Sequence, residues 1–480
     1  MQKILNYIDG ELVPPLAGNF LENFNPAEGK VYSYLPDSDQ EDVAMAVNAA
    51  KVAFPDWAKT SVAERSRVML RIADLIDENL ERLALAESND NGKPLSLSKA
   101  VDIPRASSNM RFFATAILHF NTEAHKMDDI AINYTTREPV GVAGCISPWN
   151  LPLYLFTWKI APALAAGNSV VAKPSEITPM TAFLFSELCI QAGLPKGVLN
   201  IVHGLGTKTG QAIIEHPDIP LISFTGGTTT GKHIAAIAAP MFKKLSLELG
   251  GKNPNIIFSD CDFNEAVKTS VMSSFSNQGQ ICLCGSRILV ERSIYQKFVK
   301  AFVEKVNKMQ VGDPLEDATK TGAVVSEAHM NKVLSYIHLA KDEGGKVEAG
   351  GQRVQLQGRC EKGYFIQPTV ITGLGHACRT NQEEIFGPVV TIMPFDTQEQ
   401  AIEYANSTAY GLSATLWTNN IKRAHNVAQQ LKSGIVWINC WLVRDLRTPF
   451  GGMKQSGVGR EGGDEALRFF TEAKNVCIKL

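Results

Sequence analysis

The chain has 480 residues, 45% hydrophobic and 20% charged, with a formal net charge of −2 at pH 7. That balance gives no electrostatic case for a nucleic-acid partner or an anionic membrane surface. A single core stops growing below this length, so two or three domains are expected.

The first ten residues contain no signal-peptide apolar core, and the nine cysteines lack paired spacing. Both features predict a soluble, cytoplasmic protein with reduced thiols. Ser38-Asp39-Gln40-Glu41 reads as a capping box, followed by Val43, Ala46, Val47, Ala50 and Phe54 at helical spacing. Ser61-Val62-Ala63-Glu64 repeats the device ahead of an amphipathic stretch reaching about Ser88. Asn91-Gly92-Lys93-Pro94 breaks that stretch, and a further helix carries Arg105 and Arg111.

From about 140 to 250, short apolar runs at 141–147, 169–172, 198–202, 221–224 and 245–249 alternate with helical segments. Two of those segments are 151–166, closed by Gly167, and 178–192, closed by Gly193. The former is the longest apolar stretch, but it carries Lys159 and falls short of the ~20 residues that span a bilayer. Strands apolar on both faces predict a buried parallel sheet of βαβ units, with ligands beyond the carboxyl ends of its strands. A second α/β series follows to about Asn439, with strand candidates at 286–290, 389–394, 412–417 and 435–438 and a helix at 293–309. The junction falls near Gly250-Gly251. Segments 119–138 and 465–480 lie outside both series, and the strand-like 476–480 is expected to pair with another subunit's edge.

Chemistry concentrates at the predicted strand ends. Cys282 follows Gly279-Gln280-Ile281, and Glu248 stands in Leu247-Glu248-Leu249-Gly250-Gly251-Lys252. A thiol and a carboxylate in two Gly-bearing segments suggest a nucleophile and a base. The competing reading of Cys282 is a buried structural thiol. Cys284 raises a Cys-x-Cys metal site, but no His or Cys cluster completes one, so no metal is expected. No histidine stands in a recognisable Cys–His context that would mark a cysteine peptidase. Asn150, in Ser147-Pro148-Trp149-Asn150, can either donate to a developing oxyanion or cap the following helix.

The run from Gly204 to Gly210 misses the spacing of a dinucleotide fingerprint by one and is read as an ordinary turn. Phe224-Thr225-Gly226-Gly227 joins a strand to a helix N-terminus, where free N–H groups favour a pyrophosphate. Lys173 and Glu176 could address ribose hydroxyls, or form a solvated charge pair. A glutamate there repels a 2′-phosphate, which favours NAD over NADP.

Taken together the segments resemble the NAD(P)-dependent aldehyde dehydrogenase superfamily over essentially the whole chain. The motifs that carry the resemblance are Pro148-Trp149-Asn150, Lys173-Pro174-Ser175-Glu176, Phe224-Thr225-Gly226, Leu247-Glu248-Leu249-Gly250-Gly251-Lys252 and Gly279-Gln280-Ile281-Cys282. Glu384-Ile385-Phe386-Gly387-Pro388 and Pro449-Phe450-Gly451-Gly452 complete the series in the family's order. The resemblance implies an α/β fold with a Rossmann-like NAD-binding domain at 1–118 and 139–249 and a catalytic domain at 250–450. It also implies a small β oligomerisation arm at 119–138 and 465–480, in a homodimer or homotetramer.

Cys282 would attack the aldehyde, Asn150 and the Cys282 N–H would hold the oxyanion, and Glu248 would activate water against the thioester. Trp149, Lys173, Glu176, Gly226, Gly227, Leu249, Glu384 and Phe386 would contact NAD, with NADP the weaker alternative. Gly227 departs from the pattern, since many relatives carry Ser there. Glu248 also argues against the CoA-acylating branch, which generally lacks this base.

The narrower resemblance is to 2-aminomuconic and 2-hydroxymuconic semialdehyde dehydrogenases. It rests on Asp102-Ile103-Pro104-Arg105, on Ser147 through Tyr154, and on Asn439-Cys440-Trp441-Leu442-Val443-Arg444-Asp445-Leu446-Arg447. It implies a substrate carboxylate distal to the aldehyde, with Arg105 and Arg444 as its partners. Arg447 would either join them or pair with Asp445. The alternative is a broad-specificity enzyme for aliphatic and aromatic aldehydes.

Overall fold

The computed structural model describes residues 1–480. The apolar runs of the first series become strands Val142–Ile146, Ser169–Lys173, Leu199–Ile201, Leu221–Thr225 and Lys244–Glu248, all paired in parallel. Across the sheet they stand third, second, first, fourth, fifth. This is doubly wound order, and its direction reverses between Val142–Ile146 and Leu221–Thr225. The hairpin Asn6–Ile8 and Glu11–Val13 extends one edge, and Gly457–Val458 returns to cover the other. These edge strands are too short to show periodicity in the sequence.

Helix Pro152–Ala165 is buried at every residue, which is why its sequence lacks a polar face. It packs on the first two strands and on helix Ile103–Ala116. The first helix, Gln40–Lys59, starts one residue later than expected. Asp39 caps it, with Asp42 as the reciprocal partner in place of Glu41. Ser38 is diverted because its hydroxyl accepts from Asn6 Nδ2 at 2.8 Å. The next amphipathic stretch divides at Asn79 into Val62–Glu78 and Leu80–Asn91, and Gly92 closes it in the left-handed conformation at φ 84°.

The second sheet aligns Thr369–Thr372, Val389–Phe395, Arg287–Glu291, Pro254–Ile257, Ser413–Trp417 and Ile435–Ile438 in parallel. Lys346–Ala349 is antiparallel at its edge. A third, antiparallel sheet orders Thr471–Lys479, Ala131–Pro139 and Ala124–Met127. The terminal strand pairs within its own chain, from Thr471 opposite Pro139 to Lys479 opposite Ala131, and its other side forms one edge of this sheet. No helix is long and apolar enough to cross a membrane.

Candidate active site

The first and fourth strands of the doubly wound sheet deliver Trp149 and Asn150 on one side of the reversal point and Gly226 and Gly227 on the other. Two cavities meet there. One, of about 250 Å³, is lined by Trp149, Asn150, Gly226, Gly227, Glu384 and Phe386. The other, of about 210 Å³, is mostly apolar and includes Glu248, Tyr154, Arg444 and Phe450. Cys282, Leu249 and Thr225 line both. A thiol at the junction of two cavities can touch a ligand from either side.

The backbone that presents Cys282 is tightly constrained. After helix Phe263–Phe275, Asn277, Gln278 and Gly279 follow one another in the left-handed region at φ 50°, 55° and 70°. For non-glycine residues each such conformation costs about 1–2 kcal/mol. Side-chain bonds hold the turn. Asn277 Nδ2 donates to Asn150 O at 2.8 Å, and Gln278 Nε2 donates to Ala323 O at 2.8 Å. Gln280 Oε1 accepts from the Val325 N–H at 3.1 Å. Sequence reasoning identified the glycine and missed the two residues before it.

Asn150 is not a helix cap, since Leu151 occupies that position without a side-chain bond. Its Nδ2 gives one hydrogen to Gln280 O at 2.9 Å, and the second remains for a ligand. The Cys282 N–H donates to no protein group. Burial, and then the nearby Glu248 and Glu384, push the Cys282 thiol well above its ordinary range, so the resting thiol is protonated.

Glu248 ends its strand 4% exposed, and neither carboxylate oxygen has a partner. Burial, followed by the neighbouring Glu461, raises its pKa well above the usual carboxylate value, against the pull of Lys159, Arg460 and Arg444. Glu461 is itself held by Trp158 Nε1 at 2.6 Å, Lys159 Nζ at 3.0 Å and the Ser223 hydroxyl at 3.4 Å. The sequence reading missed Glu461. The signal that could have found it is Lys159, since an ammonium inside an all-buried helix requires a counter-charge.

Beyond the glycine turn lies a cavity of about 700 Å³, lined by Glu176, Gly206, Phe224, Thr229 and His233 among others. The Lys173 side chain is 2% exposed and its Nζ meets Glu176 Oε2 at 3.1 Å, so the lysine is built into the wall while the glutamate, 32% exposed, reaches the cavity. The Gly206 turn, read as ordinary, also lines this cavity. A Cβ at Gly227 would meet nothing within 4 Å, so a serine there would present its hydroxyl to open space at the helix N-terminus. On the other side, Glu384 Oε1 accepts from the Gly251 N–H at 2.8 Å. Phe386 sits at φ 62° with its carbonyl bonded to His329 Nε2 at 2.7 Å. Trp149 packs edge-on against both rings, 5.3 Å from Phe386 and 5.1 Å from His329. His329 stands in no motif that would have selected it. Two cavities flanking one Gly-rich turn, each with a carboxylate placed for ribose hydroxyls, fit an extended dinucleotide. No group of three or more His, Cys, Asp or Glu side chains is disposed to hold a metal ion.

The three arginines part company. The Arg444 guanidinium lies between the rings of Trp158 and Phe450, 4.3 and 4.1 Å from their centroids. Its Nη1 donates to Tyr154 Oη at 2.8 Å, while Nη2 is buried without a partner. Arg105 does not line the cavity. It lies over the Tyr154 ring at 5.9 Å, behind the residue that Arg444 bonds. Arg447 is spent on Asp445, with Nη2 to Oδ2 at 2.6 Å.

The model of the aldehyde dehydrogenase family matches residues 15–476. The chain belongs to the aldehyde dehydrogenase family. It is 51% identical to 2-aminomuconic semialdehyde dehydrogenase of Bos taurus, covering 99% of this chain and 98% of that one. It is 46% identical to 2-hydroxymuconic semialdehyde dehydrogenase of Pseudomonas sp. (strain CF600), covering both chains fully. The NAD+ complex of an aldehyde dehydrogenase from Bacillus cereus superposes with a TM-score of 0.97 at 43% identity, over 100% of this chain and 97% of that one. As an aldehyde dehydrogenase, the chain is an oxidoreductase acting on aldehydes, with the α/β fold expected from the sequence.

Proposed function

We propose that this aldehyde dehydrogenase oxidises a semialdehyde bearing a distal carboxylate, of the 2-aminomuconic or 2-hydroxymuconic kind, to the diacid with NAD. The observation that carries this is Arg444 Nη2, a buried and unpartnered cationic donor in the wall of the apolar cavity. Leaving such a group unpaired is costly, and a carboxylate is its natural complement. The flanking rings fix the guanidinium plane, and Tyr154 sets its rotation. Arg105 then acts through Tyr154, with no contact of its own to substrate.

In the reaction, the Cys282 sulfur bonds to the aldehyde carbon as its proton passes to water in the cavity. The oxygen, now bearing negative charge, takes the free Nδ2 hydrogen of Asn150 and the Cys282 N–H. NAD, when bound, supplies the hydride acceptor, and a thioester on Cys282 remains. Its nicotinamide end would lie among Glu384, Phe386 and Trp149 and its adenosine end by Lys173 and Glu176, with Gly226, Gly227 and Leu249 along the crevice. Glu176 would disfavour a 2′-phosphate, supporting NAD over NADP. Glu248, unpartnered and raised in pKa, would then take a proton from water as the water oxygen attacks the thioester carbon. The acid departs and the thiol is restored.

Assembly and compartment belong to the same proposal. Ile132 and Tyr134 alternate along strand Ala131–Pro139 and Ile130 lies in the turn just before it, the three being 39%, 37% and 55% exposed. Across from them stand Ile478 and Val476, giving the third sheet an apolar face suited to a second copy of the chain. This supports a homodimer or homotetramer through an arm at 119–138 and 465–480, with cofactor and catalytic domains as delimited by the two larger sheets. All nine cysteines are free, which supports a reducing, cytoplasmic setting.

The test is Arg444→Ala with 2-hydroxymuconic semialdehyde and with a neutral aldehyde of similar size. KM for the acid should rise tenfold or more, with little change for the neutral substrate. Equal effects on both would leave a broad-specificity enzyme as the reading.

A further inference from the structure

The turn that ends helix Leu80–Asn91 carries more polar chemistry than a helix stop needs. Gly92 in the left-handed region and Pro94 suffice to break the helix. Yet Asn91 and Lys93, on either side of Gly92, are fully buried. Lys93 Nζ donates to Asp102 Oδ2, to Glu87 Oε1 at 3.3 Å and to Asn150 O at 3.2 Å. All three ammonium hydrogens are thereby engaged. Asn91 Nδ2 donates to Trp149 O at 3.0 Å and reaches Asn150 O at 3.4 Å. Glu87 Oε2 takes the Leu153 N–H at 3.3 Å, so the same cluster grips the segment on both sides of Asn150. An ammonium buried with two carboxyls adds little net stability, because desolvation offsets the attraction. What such a cluster does supply is a charged donor held in one place.

We propose that Asn91 and Lys93 are positioning residues that clamp the Trp149 and Asn150 carbonyls, so that the free Nδ2 hydrogen of Asn150 meets the oxygen of the reacting aldehyde. The assignment rests on the reading of Asn150 as oxyanion donor and deepens it. Once the Asn150 backbone is fixed, its side chain has two rotatable bonds, and the Nδ2 bond to Gln280 O at 2.9 Å sets both. The second hydrogen then has one direction. On the far side Asn277 Nδ2 donates to the same Asn150 O and reaches Gln280 O at 3.4 Å, which ties the clamp to the turn that presents Cys282. Without Asn91 and Lys93, the link from Asn150 to the first domain would rest on the chain alone, between strand Val142–Ile146 and helix Pro152–Ala165. Neither residue lines the two catalytic cavities, so both act through Asn150 and not on the substrate.

The experiment is a double-mutant cycle between Lys93→Met and Asn150→Ala, read as the single-turnover rate of NADH formation at saturating 2-hydroxymuconic semialdehyde and NAD. Lys93→Met alone should slow that rate about tenfold or more, while KM for the aldehyde and Kd for NAD change less than about twofold. In the Asn150→Ala background the same substitution should change the rate less than about twofold, because the group it positions is gone. The same loss factor in both backgrounds assigns Lys93 a merely structural part and overturns the proposal, as does a wild-type rate in Lys93→Met. If Lys93→Met does not fold, Asn91→Leu, which leaves the ion cluster untouched, decides through the same cycle. Loss confined to the Asn150 background supports the clamp, and an equal or absent loss overturns it. A slow Asn150→Ala enzyme with additive effects overturns the clamp alone. An Asn150→Ala enzyme as fast as the wild type overturns the oxyanion reading and the clamp with it.

Discussion

At the scale of single residues, the site depends on buried groups kept without partners. Glu248 has two free oxygens and Arg444 a free Nη2, each a desolvation cost that a substrate or a water molecule can offset. Glu248 shows how this becomes rate. Its pKa is raised by burial and by Glu461, so protonated carboxyl dominates at low pH, and the base form appears as pH rises through that raised value. Hydrolysis of the thioester should therefore accelerate as pH rises through that raised value. Glu248→Gln should remove that dependence, slow turnover by roughly 10²-fold or more, and leave a covalent acyl-enzyme visible by mass spectrometry. Unchanged turnover would refute the assignment. Cys282, Glu248 and Asn150 could be singled out because each sits in a motif. Glu461 could not, since a lone carboxylate carries no local pattern and its meaning lies in what the fold brings beside it.

Among the elements, the turn Asn277-Gln278-Gly279 is the most constrained. A Cβ at Gly279 would overlap the Gly387 carbonyl oxygen, in a conformation that already penalises side chains. Gly279→Ala should lower stability by about 2 kcal/mol or more, measured by urea unfolding, and cut activity by a far larger factor because Cys282 is displaced. Full activity with reduced stability would show that the turn is a scaffold only. The core strands of the first sheet and the buried helix Pro152–Ala165 were readable as apolar runs, whereas strands Phe20–Asn25, Lys30–Pro36 and Pro254–Ile257 were not singled out. Edge strands such as Gly457–Val458 were not, because two residues establish no period. The cap at Asp39 shifted by one residue for a tertiary reason, the capture of Ser38 by Asn6.

For the whole molecule, the apolar face of the third sheet predicts association. Replacing Ile132 and Ile478, which stand opposite each other, by lysine should split the assembly into smaller species, read by light scattering on a sizing column. Both residues are exposed, so the fold of each subunit should persist, with circular dichroism unchanged. An unaltered mass would place the interface elsewhere. The return of the chain to its first sheet reaches further. Lys159 is buried with a counter-charge 302 residues later in the chain, and the strand bearing Glu248 gains its outer neighbour only at Gly457–Val458. During synthesis the first sheet must therefore wait, with an uncompensated ammonium and an open edge, until almost all of the chain has left the ribosome.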